Sequence, residues 1–121
     1  MSSERLEFSA EKLGRALDRL DEALSAPHTD LLVDATIQRF EFTVELLWKT
    51  LKRALEERGR SVSATPADVL SAAWQADWLE DDEDTWIAMI KDRNLSSHVY
   101  DEAGAFDIYS RIPSWADGEN A

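Results

Sequence analysis

At 121 residues the chain has the length of one compact domain, and with no cysteine it has neither a disulfide framework nor a thiolate metal site. Its net charge of −12 sits almost wholly in the second half: residues 1–60 hold 12 acids and 10 bases, residues 61–121 hold 13 acids and 3 bases, a field that repels nucleic acid at long range. No apolar run approaches the roughly 18–20 residues of a membrane span, and Met1 to Arg5 lacks the apolar core of a signal peptide, so the chain reads as a cytoplasmic protein without a membrane partner.

The chain reads as helical throughout, because glycine and proline are sparse and no alternating strand pattern occurs. A first helix is expected from about Ser9 to Ser25, with Leu13, Ala16, Leu17, Leu20 and Leu24 as its buried stripe. The turn Ala26 to Asp30 follows, with His28 an exposed loop residue. A long second helix is expected from Asp30 to Arg58, stopped by Gly59. Phe40, Val44, Leu47, Leu51 and Leu55 form one stripe on it, and Ile37, Phe42, Leu46 and Trp48 widen the apolar surface beyond what one core requires. That surplus points to burial on two sides, either against further helices of the bundle or, the favoured reading, in a homodimer through this helix. Arg39, Lys49, Lys52, Arg53, Arg58 and Arg60 form either a solvated face or a basic groove.

A third helix is expected to open at Thr65, with Pro66 at its first position and Asp68 in its first turn, and to end near Trp78. The five consecutive acids Glu80 to Asp84 read as a solvated loop and helix start, since their spacing fits no fixed ligand set. A fourth helix begins near Asp84 and carries Trp86, Ile87, Met89 and Ile90 into the core. A last amphipathic helix, with Ala105, Phe106, Ile108, Tyr109 and Ile112, is expected to stop at Pro113. The organisation is thus a helical domain over residues 1–112 and a polar tail over 113–121. No Gly-rich phosphate loop, Ser-His-Asp set or ligand-spaced cluster is present, and neither a cofactor nor a metal is expected.

The stretch richest in chemistry is Asp92 to Tyr100, which holds one of the two histidines five residues after Arg93. Histidine titrates near neutrality, and the planar fork of arginine suits phosphate. In RNA cleavage without a metal, His98 would act as general base toward the 2′-hydroxyl or as acid toward the leaving 5′-oxygen. Arg93 would hold the phosphate and stabilise its developing charge. Asn94 would orient the imidazole or donate to the phosphate. Arg93 and His98 lie about 140° apart around an ideal helix, so they converge only where the helix ends or bends, where Arg93 wraps round, or where two subunits share a cleft. The plainer reading leaves Arg93 paired on the surface with Asp92 or Asp101, and Tyr100 simply packed.

Two blocks carry a resemblance: Ile37 to Lys52 (IQRFEFTVELLWKTLK) and Trp86 to Asp101 (WIAMIKDRNLSSHVYD). They resemble the signature segments of the nucleotidyltransferase substrate-binding protein family, a branch of the HEPN superfamily, and the likeness spans roughly residues 5–112. It implies an all-α, HEPN-like antiparallel four- to five-helix bundle, to which the surplus on the long second helix adds the expectation of a dimer. It also implies the toxin half of a two-gene toxin–antitoxin module whose other gene encodes a minimal nucleotidyltransferase, MNT. The form R-N-x3-H-x-Y, here Arg93, Asn94, His98 and Tyr100, matches a metal-independent endoribonuclease pattern in which the tyrosine is the target of AMP transfer by the partner. The alternative is a non-catalytic subunit that binds RNA or nucleotide for the nucleotidyltransferase.

Overall fold

A computed structural model gives the chain five α-helices: α1 (Ser2–Ser25), α2 (Asp30–Glu57), α3 (Pro66–Gln75), α4 (Glu83–Ser96) and α5 (Glu102–Asn120). The structure describes residues 2–27, 29–60, 65–96 and 102–120. Among them there is no strand, and no helix is long and apolar enough to cross a membrane. The fold is the all-α bundle that the sequence led us to expect.

Helix α2 is the hub and packs against each of the other four. Its stripe supplies Phe40, Val44 and Leu47 to a core completed by Leu20, Leu70, Trp86, Met89, Ile90, Ile108 and Ile112. Leu55 is fully buried farther along the same stripe. The short turn after Ser25 makes α1 and α2 antiparallel neighbours. Ser9 Oγ and Thr50 Oγ1 share a buried hydrogen bond of 2.5 Å. Ser9, Ala16 and Ala23 recur at heptad spacing, as do Thr36, Thr43 and Thr50. The register fixed by the Ser9–Thr50 bond sets Ala16 opposite Thr43 and Ala23 opposite Thr36, so small side chains let the two helices approach closely. Ser9, Ala23 and all three threonines are buried.

Helix ends follow local chemistry. Thr29 Oγ1 caps α2 by accepting from the Leu32 amide, and Thr65 Oγ1 caps α3 by accepting from the Asp68 amide. Gly59, at φ 78°, ends α2 as expected, with Gly59 N donating to Glu56 O and Arg60 N to Leu55 O. Asp77 ends α3 in the same way, at φ 63°, with Asp77 N donating to Trp74 O and Trp78 N to Ala73 O. The third helix therefore stops at Gln75, short of the expected Trp78. Asp82 caps α4: its Oδ1 accepts from Thr85 N at 2.9 Å and Thr85 Oγ1 at 2.8 Å. The acidic run also fixes two tryptophans, since Trp86 Nε1 donates to Glu80 O and Trp74 Nε1 to Asp81 O.

Two further boundaries differ from expectation. Helix α1 begins at Ser2, because Ser9 turns its hydroxyl to Thr50 instead of capping, and because Arg53 Nη1 donates to the Arg5 carbonyl in the first turns. Pro113 does not stop the last helix, which runs on to Asn120. Anchors on either side of the proline hold it in helical geometry. Arg111 forms two hydrogen bonds with Asp92, and the Trp115 indole packs on the core while donating to the same carboxylate.

Candidate functional site

The last turn of α4 brings Arg93 and Asn94 to a cavity. Arg93 and Asn94 line a space of about 310 Å³ with Val44, Glu45 and Trp48 of α2, Pro66 at the start of α3, and Ile90 one turn earlier on α4. The apolar walls follow from the core stripes of α2 and α4, and the proline from the capped start of α3. Arg93 is half-buried at this rim and Asn94 is exposed. The expected partners His98 and Tyr100 lie outside the described residues, as do Ser97 and Asp101.

Three α2 side chains at one helical face, Glu41, Glu45 and Trp48, meet the end of α4, and no role had been expected for the two glutamates. Ser96 Oγ lies 2.6 Å from Glu41 Oε2 and 2.7 Å from the Arg93 carbonyl, and its single proton serves one or the other. Glu41 and Ser96 also line a second cavity, of about 300 Å³, with Asp34, Ile37, Gln38 and Ala105. Glu45 Oε2 accepts from Trp48 Nε1 at 3.1 Å, and Lys49 Nζ lies 3.2 Å from Oε1. Burial opposes the charge on Glu45. The hydrogen bonds from Trp48 and Lys49 and the charges of Lys49 and Arg93 outweigh it, and hold the carboxyl below its ordinary value. The site therefore carries a permanent cation, an ionised carboxylate, a primary amide and an indole around an apolar floor. The spacing of Glu41, Glu45 and Trp48 at four and three residues was the sequence signal for a shared face.

Asp92 plays a different part from the expected surface partner of Arg93. It is buried and bonds across to α5, where Arg111 Nε and Nη2 donate to it at 2.9 and 2.8 Å and Trp115 Nε1 at 2.8 Å. The hydrogen bond to Asp92 keeps Arg111 protonated beyond its ordinary range. This lock sets the rotation of α4 and, with it, turns the neighbouring Arg93 toward α2.

A family model described as nucleotidyltransferase substrate binding protein like matches residues 7–118. The chain belongs to this family. Its HEPN-type bundle is shared by the crystal structure of ttk003001694 from Thermus thermophilus, with a TM-score of 0.79 and 34% identity over 87% of this chain and 90% of that one. A curated relative from Haemophilus influenzae, named "Probable ribonuclease HepT", is 34% identical over 87 residues, 69% of this chain and 59% of the relative. The chain thus spans about three-fifths of the length of that relative. In this family member, Arg93 and Asn94 fall in a cavity whose other walls come from the first signature block, Pro66 and Ile90.

Proposed function

We propose that this family member is the HEPN toxin of a HEPN/MNT module: a metal-independent endoribonuclease neutralised by a minimal nucleotidyltransferase. The observation that carries the reading is the opening of Arg93 and Asn94, two residues of the R-N-x3-H-x-Y motif, onto a cavity large enough for part of a nucleotide. The likeness to a relative named as a ribonuclease supports it. In the reaction, His98 takes the proton of the 2′-hydroxyl as the 2′-oxygen bonds to phosphorus. The bond to the 5′-oxygen breaks, and that oxygen leaves with a proton donated by the protonated His98 of the partner subunit in the proposed dimer. The products are a 2′,3′-cyclic phosphate and a 5′-hydroxyl. Arg93 neutralises the non-bridging oxygens, and Asn94 orients the phosphate or the imidazole. The partner's control is AMP transfer. The Tyr100 phenolic oxygen attacks the α-phosphorus of ATP, pyrophosphate leaves, and the new phosphodiester brings like charge beside the phosphate site.

The working unit in this proposal is a homodimer through α2. Phe42 of α2 is 58% exposed, beside the half-buried Leu46, and both line an apolar groove of about 260 Å³ against α1.

A second reading is favoured by the −10 charge of residues 61–121 and by the family's description: a non-catalytic subunit that holds nucleotide for the MNT protein. Expression without the nucleotidyltransferase separates the two. The toxin reading predicts growth arrest that is relieved by co-expressed partner and by His98→Ala, with Tyr100 gaining one AMP by mass spectrometry in the rescued cells. Harmless expression of the folded protein at high level would remove the toxin reading and leave the binding subunit.

A further inference from the structure

We propose that the cavity beside Arg93 is a nucleobase pocket that selects guanine, with Glu45 as the specificity-determining residue and Trp48 as a wall of the pocket. The inference rests on the nucleotide-handling reading above and specifies the base next to the phosphate that Arg93 holds.

The cavity has the composition of a base site. Val44, Ile90 and Pro66 make its apolar surface, Trp48 adds an aromatic wall, and Glu45, Asn94 and Arg93 are its polar groups. Unpaired bases are recognised in this manner, by burial against aromatic and apolar side chains with hydrogen bonds to the Watson–Crick edge. The cavity volume of about 310 Å³ falls at the lower end of small-molecule sites. That suits a single base better than a larger cofactor.

The choice of base follows from the lone pairs of Glu45. An ionised carboxylate only accepts, and each oxygen offers two sites. Trp48 occupies one site on Oε2 and Lys49 one on Oε1. Arg93 acts on this carboxylate through its charge, and among the described residues no further donor reaches it, which leaves one site on each oxygen. Two acceptor oxygens on one carboxylate suit two adjacent donors. Guanine presents them as N1–H and N2–H. Adenine and cytosine offer one exocyclic amine beside a ring acceptor, and uracil one ring N–H between two carbonyls. The bonds from Trp48 and Lys49 also fix the carboxylate before the base arrives, which limits the freedom lost on binding.

The test is calorimetric titration of the full-length protein with the four nucleoside 3′-monophosphates. It is repeated with Glu45→Gln and with Trp48→Phe, each checked for helical content. Guanosine 3′-monophosphate should bind the wild type at least about tenfold more tightly than the other three, as expected for a bidentate contact. Glu45→Gln should abolish that preference, while Trp48→Phe retains it at reduced affinity. Equal affinities, no binding of any of the four, or a guanine preference that survives Glu45→Gln would overturn the pocket. Parallel cleavage of RNA separates the two readings. Arg93-dependent cutting without base preference sinks only the guanine pocket, whereas guanine selectivity without cutting sinks only the ribonuclease.

Discussion

Asp92 shows how one carboxylate can serve a site that it does not enter. Three donors converge on it from α5, and removing it leaves an arginine and an indole without their acceptor. Hydrogen bonds to charged groups are the stronger kind, but the Arg111 side chain is 43% exposed and solvent screens part of the interaction. Asp92→Ala should therefore lower unfolding free energy by about 2 kcal/mol, read from urea denaturation. A change within experimental error would contradict the lock. Glu45 gives a pH signature. Its carboxyl is held below its ordinary value in the folded chain, so its contribution is fully present above the unfolded value and is lost as pH falls through the folded one. Stability measured from neutral pH downward should thus fall less steeply in Glu45→Gln than in the wild type; parallel acid limbs would contradict the assignment. Sequence alone pointed to Arg93 and Asn94 because their motif is contiguous. It did not give Asp92 its partners, which lie 19 and 23 residues away on another helix.

Helix boundaries divide by the range of the forces that set them. Gly59, Thr65 and Pro66 were legible because a left-handed residue, a hydroxyl cap and a proline at the first position act within one turn. The end of α3 escaped because Asp77 takes the left-handed conformation usually given to glycine. Passage of α5 through Pro113 escaped because Arg111 and Trp115 hold that helix from outside its own sequence. An interior proline still supplies no N–H and crowds the preceding turn. Pro113→Ala should stabilise the protein by about 1 kcal/mol, less than the usual interior penalty because proline also restricts the unfolded chain. A lower melting temperature in that variant would show that the proline is preferred where it stands. The α1/α2 seam was legible only in part. Leu20 announced itself by periodicity, whereas the matched Ser/Ala and Thr heptads need the antiparallel register before their meaning appears.

At the scale of the molecule, one helix organises both core and site. Helix α2 turns Phe40, Val44 and Leu47 inward, Glu41, Glu45 and Trp48 toward α4, and Phe42 outward. The outward face is the basis of the proposed dimer. Its groove is rimmed by Lys12, Arg15, Arg19 and Arg39, so pairing two copies there brings like charges together. Salt shortens their reach to about 10 Å at 0.1 M. Sedimentation should therefore show a dimer that tightens with added salt and becomes monomeric in Phe42→Asp; a Phe42→Asp protein that remains dimeric would place the interface elsewhere. The acidic second half bears on the substrate as well. In the proposed reaction RNA must reach Arg93 against a net charge of −12, so few phosphates should be neutralised and binding should depend only weakly on salt.

RNA cleavage by the purified protein, followed with and without Arg93, is the most direct measurement. With a chelator present, the wild type should cut single-stranded RNA and leave 2′,3′-cyclic phosphate ends, and Arg93→Ala should slow the cut by about 100-fold or more, as removal of a transition-state donor does. RNA left intact by folded protein, or cut equally fast by Arg93→Ala, would contradict it.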